Sequence, residues 1–341
     1  MSQKIKIMIL GGARENGKNM YAVQVEDEIF IMDAGLKYPD SSLLGIDVVI
    51  PDLQFFQDYA DKIAGIFLTH GHADSIGALP YILRDHDIPV FGSKLTIELA
   101  KIAVQRENRR RKNDLFHVID ADTEIEFKNA NVSFLKTTHS IPDSLGIDIS
   151  TKEGEIVYTG DFKFDPSAKK GYRTDFVRLS EIAQKGVLAL LSDSTNAEAN
   201  FPNDRQTSIE KYIYNIFENY DGRIIAAAKA SNIVRVQEIF QAAAATGRHV
   251  FLTGRDAGKI VYTAMKLGYL NVPKGLLVHS KDLKKIPDNE LVILETGRMG
   301  EPLKSLQKMA TNRHRMIKIK KGDLVFIATT PSHSVETMVA Q

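Results

Sequence analysis

The sequence has 341 residues, of which 43% are hydrophobic, enough for one large core or two ordinary ones. Because 44 Lys and Arg nearly balance 43 Asp and Glu, no global field draws the whole chain to nucleic acid or to an anionic membrane, and any RNA affinity must be local. The absence of cysteine excludes disulfides and thiolate ligands, so metal chemistry would need His, Asp and Glu.

Up to about Asp193 the pattern predicts short strands. In chain order they are KIKIMIL (4–10), MYAVQVE (20–26), EIFIMDAG (28–35), GIFLTH (65–70), VSFLKTTH (132–139) and EIVYTGD (155–161). The N-terminus enters a strand-like run directly, and no window approaches ~18 uninterrupted apolar residues. We therefore expect a cytoplasmic chain with neither a secretory signal nor a membrane span.

From Thr207 onward the pattern changes to alternating strands and helices, which predicts a doubly wound α/β unit with a parallel sheet. Its first helix is TSIEKYIYNIFENY, where Thr207 and Glu210 have capping-box spacing at a helix start. The polar stretch NAEANFPNDRQ (196–206) is the natural boundary. The sequence thus predicts one domain over residues 1–200 and another over 201–341.

Histidines and aspartates follow the predicted strands. Leu68-Thr69-His70-Gly71-His72-Ala73-Asp74-Ser75 comes after one strand, His139 closes VSFLKTTH and Asp161 closes EIVYTGD. Singly, such residues are more often caps, turn residues or surface pairs, but ends of neighbouring strands line the crevice where ligands bind. We expect His70, His72, His139 and Asp161 to converge on one metal ion.

These residues resemble the His-x-His-x-Asp-His motif of the metallo-β-lactamase hydrolases. The strings GGARENGKNMY (11–21), THSIPDS (138–144), GDFKFD (160–165), SDSTNAE (192–198), ASNIVRVQ (230–237) and TGRMGEP (296–302) resemble the ribonuclease J family, whose members are β-CASP nucleases. The resemblance is to the family's divergent second paralogue. It implies an αββα sandwich with an inserted β-CASP α/β domain, in which the C-terminal segment returning to the first domain is absent here. The chain would then be a piece of a longer protein.

The resemblance also implies roles. His70, His72 and His139 match ligands of a first zinc ion, Asp74 matches a ligand of a second ion, and Asp161 matches the bridging aspartate. Asp74 and Asp161 are accordingly the predicted catalytic carboxylates. Asp33 matches an aspartate that orients the ligands through hydrogen bonds, and Asp193 resembles the first β-CASP motif.

Two positions depart from the family pattern: Ser75 stands where the motif ends in histidine, and Val234 stands where active members commonly have histidine. A second metal held by two carboxylates alone is weak. The resemblance therefore predicts a metal-dependent ribonuclease, exonucleolytic from a 5′ end and also endonucleolytic, with one zinc site and weak activity. Manganese or magnesium would suit the oxygen-rich position.

The expected partners are RNA and the active ribonuclease J paralogue in a hetero-oligomer, with a homodimer when the chain is alone and no membrane. Arg109, Arg110 and Arg111 lie in the densest basic run, and Lys318, Lys320 and Lys321 form another; each could be an RNA contact or a solvated face. A non-catalytic RNA-binding scaffold is the main alternative function. A hydrolase of small esters or amides is the third, disfavoured by the β-CASP-like half.

Overall fold

The structure is a computed structural model that describes residues 2–39, 43, 45–107, 114–165, 168, 172–195, 197–198, 205–254, 256–297 and 302–329. These residues divide into two compact units. The first comprises residues up to Glu198 except Leu43, and the second comprises Leu43 and the residues from Arg205 onward.

The first unit alternates strands with short helices. Its strands are β1 (Ile5–Gly11), β2 (Met20–Val25), β3 (Glu28–Met32), β4 (Ile63–Phe67), β5 (Val90–Gly92), β6 (Phe116–Val118), β7 (Glu124–Glu126), β8 (Asn131–Lys136), β9 (Leu145–Thr151), β10 (Gly154–Tyr158) and β11 (Val187–Leu191). Its helices are α1 (Gln54–Tyr59), α2 (Ala73–Ile76), α3 (Leu79–Asp85), α4 (Lys94–Glu107) and α5 (Phe176–Lys185), with a 3-10 turn at Ala60–Lys62.

The strands of this unit form two mixed sheets. Strands β1 to β6 lie side by side in chain order, antiparallel as far as β3 and parallel from β3 onward. The other sheet has the order β11-β10-β9-β8-β7, in which only the β10–β11 pair is parallel. Because β8 and β10 both run antiparallel to β9, their carboxyl ends lie at the same edge of the sheet.

The core of the first unit lies between the two sheets. Phe30, Met32 and Phe67 from one sheet pack in a single buried cluster with Phe134 and Ile147 from the other. These residues alternate with outward-facing ones along each strand, which is why short apolar runs form facing sheets here. Helix α4 buries its apolar side against β5 and β6, and α5 covers the second sheet. The result is the αββα sandwich predicted from the sequence.

The second unit is a parallel sheet flanked by helices. Its strands are β12 (Ile224–Ala227), β13 (His249–Thr253), β14 (Leu291–Glu295) and β15 (Leu324–Ile327), and its helices are α6 (Arg205–Asn219), α7 (Ile233–Ala245), α8 (Ala257–Lys266) and α9 (Pro302–Ala310), with 3-10 turns at Ser280–Lys285 and Asp288–Glu290. The sheet order is β13-β14-β12-β15, and each observed pair is parallel.

The predicted parallel α/β unit is therefore confirmed, but the predicted cap of its first helix is wrong. Thr207 lies inside α6, which spans Arg205–Asn219. A capping-box spacing is a local signal, and an earlier residue can extend the helix past it. Within the ranges given above, no helix combines the length and apolarity needed to cross a bilayer.

Candidate metal centre

Three of the sequence-predicted ligands occupy equivalent places in the fold. His70, His139 and Asp161 are each the third residue after the last residue of a strand, β4, β8 and β10 respectively. From the sequence, the three strands are predicted to extend as far as His70, His139 and Asp161. The strands end three residues earlier, and after β4 the Thr69 amide donates to the Asp33 carboxylate rather than to a neighbouring strand, so the predicted ligands lie on the loops that follow.

A short helix carries the next ligands. His72 immediately precedes α2, and Asp74 and Ser75 lie within that helix. Backbone bonds from Ala34 N to Ser75 O (2.8 Å) and from Leu36 N to Ala73 O (2.9 Å) fix α2 against the segment after β3. The two backbones approach so closely that a Cβ on Gly35 would lie 1.5 Å from the carbonyl oxygen of Asp74.

The three histidine rings face one another. Their centroids are 4.8 Å apart for His70 and His72, 4.7 Å for His70 and His139, and 4.9 Å for His72 and His139. Nε2 of His139 lies 3.1 Å from Nδ1 of His72. These rings offer three nitrogen atoms within 4.8 Å of one another, close enough for one metal ion to contact all three.

Two carboxylates meet the same central histidine. Nε2 of His70 lies 3.6 Å from Oδ1 of Asp74 and 3.9 Å from Oδ2 of Asp161. His70, Asp74 and Asp161 thus form a second ligand group that overlaps the first at His70. The sequence predicted His70, His72, His139 and Asp161 at one point; the structure gathers them in two adjoining groups, with Asp161 grouped with Asp74.

The charges at the centre favour a cation. Burial opposes protonation of His70, but the carboxylates of Asp74 and Asp161 outweigh it and raise the pKa of His70 to about 9. Burial raises the pKa of Asp161 to about 7, and the nearby Asp74 and Asp193 act in the same direction. Burial and the neighbouring His70 hold the pKa of His139 well below its usual value. The same carboxylates that favour a proton on His70 would favour a divalent cation beside it.

The donor set fits a divalent ion. Nε2 of His70 is buried and has no hydrogen-bond partner among the described residues, and carboxylate oxygens of Asp74 and Asp161 lie 3.6 and 3.9 Å from it. Imidazole nitrogen and carboxylate oxygen are the ligands that zinc and manganese use in proteins that lack thiolates. A metal ion bound here would satisfy the buried nitrogen and replace the proton.

Asp33 is linked to His70 through the hydroxyl of Thr69. It is fully buried with φ of 60°, and it accepts hydrogen bonds from the Thr69 amide (2.8 Å), the Thr69 hydroxyl (2.8 Å) and the Tyr158 hydroxyl (3.0 Å). The Thr69 hydroxyl in turn lies 2.9 Å from Nδ1 of His70. Burial raises the pKa of Asp33 to about 6, although His70 and these donors oppose the rise.

Sequence reasoning missed Thr69 and Tyr158. Thr69 stands directly before the first motif histidine, and Tyr158 is the last residue of β10. Both residues lie next to predicted motifs, but the residue to which both donate hydrogen bonds, Asp33, is distant in sequence. A search for hydroxyl residues next to each ligand would have found Thr69.

The two departures from the motif lie in different units. Ser75 is fully buried and its hydroxyl is 3.3 Å from Nδ1 of His70. Val234 is half-buried in the first turn of α7, in the second unit. Asp193 accepts a bond from the Thr195 amide at 2.8 Å. The predicted RNA contacts Arg109, Arg110 and Arg111 lie outside the described residues.

Family models match both parts of the chain. A model described as the metallo-beta-lactamase superfamily matches residues 13–211, and a model described as Ribonuclease J, beta-CASP domain, matches residues 221–341. The sandwich and its His/Asp centre agree with the first description, and the parallel α/β unit agrees with the second. These features define the class as metallo-β-lactamase-fold proteins with a β-CASP domain.

Curated relatives agree with this class. A protein named Ribonuclease J 2 from Streptococcus pyogenes serotype M3 is 56% identical over 338 residues, covering 99% of this chain and 61% of its own length. One of the same name from Staphylococcus epidermidis is 44% identical over 339 residues, with the same two coverages. The chain thus belongs to the ribonuclease J family of the metallo-β-lactamase superfamily, and it spans 61% of the length of these relatives.

A solved structure shares the fold. The crystal structure of a protein of unknown function from Enterococcus faecalis V583 matches with a TM-score of 0.62 over 96% of this chain and 88% of its own. The two sequences are 15% identical. At that identity the likeness shows the fold alone.

Proposed function

We propose that the chain carries the metal centre of a ribonuclease of the ribonuclease J type, which hydrolyses RNA phosphodiesters from a 5′ end and also internally. The observation that supports this most is the convergence of His70, His72, His139, Asp74 and Asp161 in a fold whose family is that of ribonuclease J. When bound, the divalent ion would supply Lewis acidity toward a phosphoryl oxygen and toward water.

The first ion would be held by His70, His72 and His139, with Asp161 as the bridging carboxylate. A nitrogen-rich set of this kind suits Zn²⁺. The adjoining position has the carboxylates of Asp74 and Asp161, which suit Mn²⁺ or Mg²⁺ better than Zn²⁺. Asp74 and Asp161 are the catalytic carboxylates in this proposal, because both would contact an ion at the place where phosphate is cleaved.

The second position is weak in this proposal, and activity is correspondingly low. Ser75 offers no imidazole, and its hydroxyl is directed to Nδ1 of His70, the nitrogen opposite the ligand atom. Asp33 and Thr69 hold the ring of His70 from that same side. Ser75 thus adds to the support of the first ion where a histidine would have served the second.

The proposal extends to partners and location, supported by the same family membership. We propose RNA as substrate, the active ribonuclease J paralogue as partner in a hetero-oligomer, a homodimer when the chain is alone, and the cytoplasm as compartment. Arg109, Arg110 and Arg111 remain proposed phosphate contacts, to be tested by their replacement with Ala.

A second candidate is a non-catalytic RNA-binding scaffold of that complex. Two observations favour it: Ser75 at the second metal position, and the apolar Val234 in the first turn of α7. Under this alternative the first ion stabilises the fold and the paralogue performs the cleavage.

The test is cleavage of 5′-monophosphorylated RNA by the chain alone and by the chain with its paralogue, in Zn²⁺, Mn²⁺ or Mg²⁺. We expect slow, metal-dependent cleavage that His139→Ala abolishes and that His279→Ala, at an exposed histidine of the second unit, leaves unchanged. Cleavage insensitive to His139→Ala would refute the catalytic proposal. Absence of cleavage alone, with faster cleavage in the complex even for His139→Ala, would establish the scaffold.

A further inference from the structure

The most basic described stretch of the chain lies in the second unit. Residues 302–322 contain seven Lys and Arg and no Asp or Glu, whereas the whole chain has a formal charge of only +1. This stretch is α9 and the segment that leads to β15. Its last three lysines, Lys318, Lys320 and Lys321, are the second basic run of the sequence.

Apolar side chains fix which side of this stretch faces solvent. Leu303, Leu306 and Met309 on α9 and Ile317 beyond it are buried in the core of the second unit, and Ile319 packs against the same cluster. The intervening cations are all exposed. We call them the basic ridge: Lys304, Lys308, Arg313, Arg315, Lys318 and Lys321.

The loop that carries the two arginines is anchored by the residue between them. Nδ1 of His314 accepts a hydrogen bond from the Ile317 amide (3.0 Å), and its Nε2 lies 3.8 Å from Oε2 of Glu295, which is fully buried at the end of β14. The amides of Arg313 and His314 also bond to the carbonyl oxygen of Lys308. The backbone that carries Arg313 and Arg315 is therefore held in place without a ligand, which lowers the entropy cost of ordering the loop on binding.

The cations of the ridge form no ion pairs with carboxylates among the described residues. Lys320 is paired with Asp288 at 2.6 Å and is left out of the ridge for that reason. Among the residues that the structure describes, none of the six ridge cations is paired with a carboxylate. Six exposed cations on one anchored stretch create a local positive potential, although the chain as a whole is nearly neutral.

We propose that the basic ridge is a docking surface for the backbone phosphates of single-stranded RNA, a role that rests on the proposed ribonuclease function. Residues 302–322 contain no Phe, Tyr or Trp, so the ridge would bind RNA through phosphate contacts rather than through stacking of bases on such rings. Binding by the ridge is accordingly electrostatic, indifferent to sequence and steeply salt-dependent. Such a surface would hold RNA on the second unit independently of the metal ligands of the first.

The experiment measures the affinity of the chain for 20-nucleotide oligo(A) and oligo(C) with 5′ hydroxyl ends, from 50 to 250 mM KCl, with EDTA present to prevent cleavage. The variant is Arg313→Ala/Arg315→Ala/Lys318→Ala. Its matched control is Lys266→Ala/Lys274→Ala/Lys281→Ala, which removes the same charge from three exposed lysines of the same unit. Thermal melting of each variant verifies folding.

Each lost contact to a single strand flattens the log-affinity against log-salt slope by about 0.7, so the ridge variant should lose about 2 slope units and bind about 100-fold more weakly at 0.1 M salt. The control should keep its slope, and oligo(A) and oligo(C) should behave alike. Equal slopes for the ridge variant and the control would overturn the proposal. So would displacement of RNA by oligo-glutamate as effectively as by unlabelled RNA, which would indicate an acidic protein as the occupant.

The outcomes separate this proposal from the ribonuclease assignment. If wild-type chain cleaves RNA in a His139-dependent manner while the ridge variant keeps its salt slope, only the ridge is wrong. If the ridge variant shows a flatter slope of log-affinity against log-salt while neither wild type nor any variant cleaves RNA, the docking surface is supported and the catalytic assignment fails.

Discussion

The hydroxyl of Ser75 lies 3.3 Å from Nδ1 of His70, whose other ring nitrogen, Nε2, is 3.6 Å from Asp74 and 3.9 Å from Asp161. Ser75, which departs from the family motif, therefore still contacts the predicted metal ligand His70. The hydroxyls of Ser75 and Thr69 both lie within hydrogen-bond distance of Nδ1 of His70.

The two hydroxyls should contribute unequally to metal affinity. Thr69→Val removes the 2.9 Å contact to His70 and the hydroxyl bonds to Asp33, so we expect about 10–100-fold weaker Zn²⁺ binding. Ser75→Ala removes only the longer contact and should cost less. Chelator competition measures both, and Thr96→Val, at a buried threonine bonded to Ser93, is the matched control. A loss of Zn²⁺ affinity in Ser75→Ala as large as that in Thr69→Val would contradict the prediction that Thr69 contributes more.

Replacing Ser75 with histidine should partly complete the second metal site, which has the carboxylates of Asp74 and Asp161. Ser75→His adds an imidazole beside Asp74 and Asp161, so bound metal should rise from about one ion per chain toward two. Ser75→Asn, which enlarges the side chain without adding a good zinc ligand, should stay near one. Elemental analysis after gel filtration measures the ratio. No gain in Ser75→His that still melts cooperatively would show that position 75 does not limit the second ion.

The close approach of α2 to the loop after β3 makes glycine obligatory at position 35. Gly35→Ala places a Cβ where the Asp74 carbonyl lies, so α2 must shift and carry Asp74 with it. We expect a lower melting temperature and weaker metal binding together. Gly258→Ala, at a helical glycine of α8 with nothing near the new Cβ, should be neutral or stabilise by about 0.5–1 kcal/mol. Normal metal affinity in Gly35→Ala would contradict the assigned contact.

A buried carboxyl pair outside the metal centre should make stability depend on pH. Burial, with Glu155 beside it, raises the pKa of Asp148 to about 7, and the Ser133 hydroxyl donates to it at 3.1 Å. The folded chain therefore binds a proton that the unfolded chain releases above about pH 4, and stability falls as pH rises from about 4 to 7.

Asp148→Asn removes this titration. Its melting temperature relative to wild type should rise between pH 4 and 8, because wild type loses the stability of the protonated Asp148 over that range and the variant does not. Taking the difference cancels Asp33 and Asp161, whose raised pKa values act in the same direction. Asp27→Asn, at a carboxylate whose pKa Lys128 lowers, should show no such trend over this range. Parallel curves for Asp148→Asn and wild type would refute the assignment.

The sequence predicted the parts of this centre that are local. The ligand types and the strands before them were visible in short windows, because burial and alternation act over a few residues. The link from Asp33 through Thr69 to His70 was only half visible, since it depends on β3 and β4 lying side by side. The inward turn of Ser75 and the grouping of Asp161 with Asp74 depend on two loops meeting, which no single window contains.

The three-histidine metal site is tested most directly by the number of divalent ions bound per chain in wild type and in single histidine variants, measured by elemental analysis and chelator competition. We predict about one tightly bound ion in wild type, almost none in His70→Ala, His72→Ala or His139→Ala, and about one in His117→Ala, at an exposed histidine on β6. Wild-type chain without bound metal after loading, or His72→Ala and His139→Ala variants that retain the ion with unchanged affinity, would show that these histidines do not hold a metal ion.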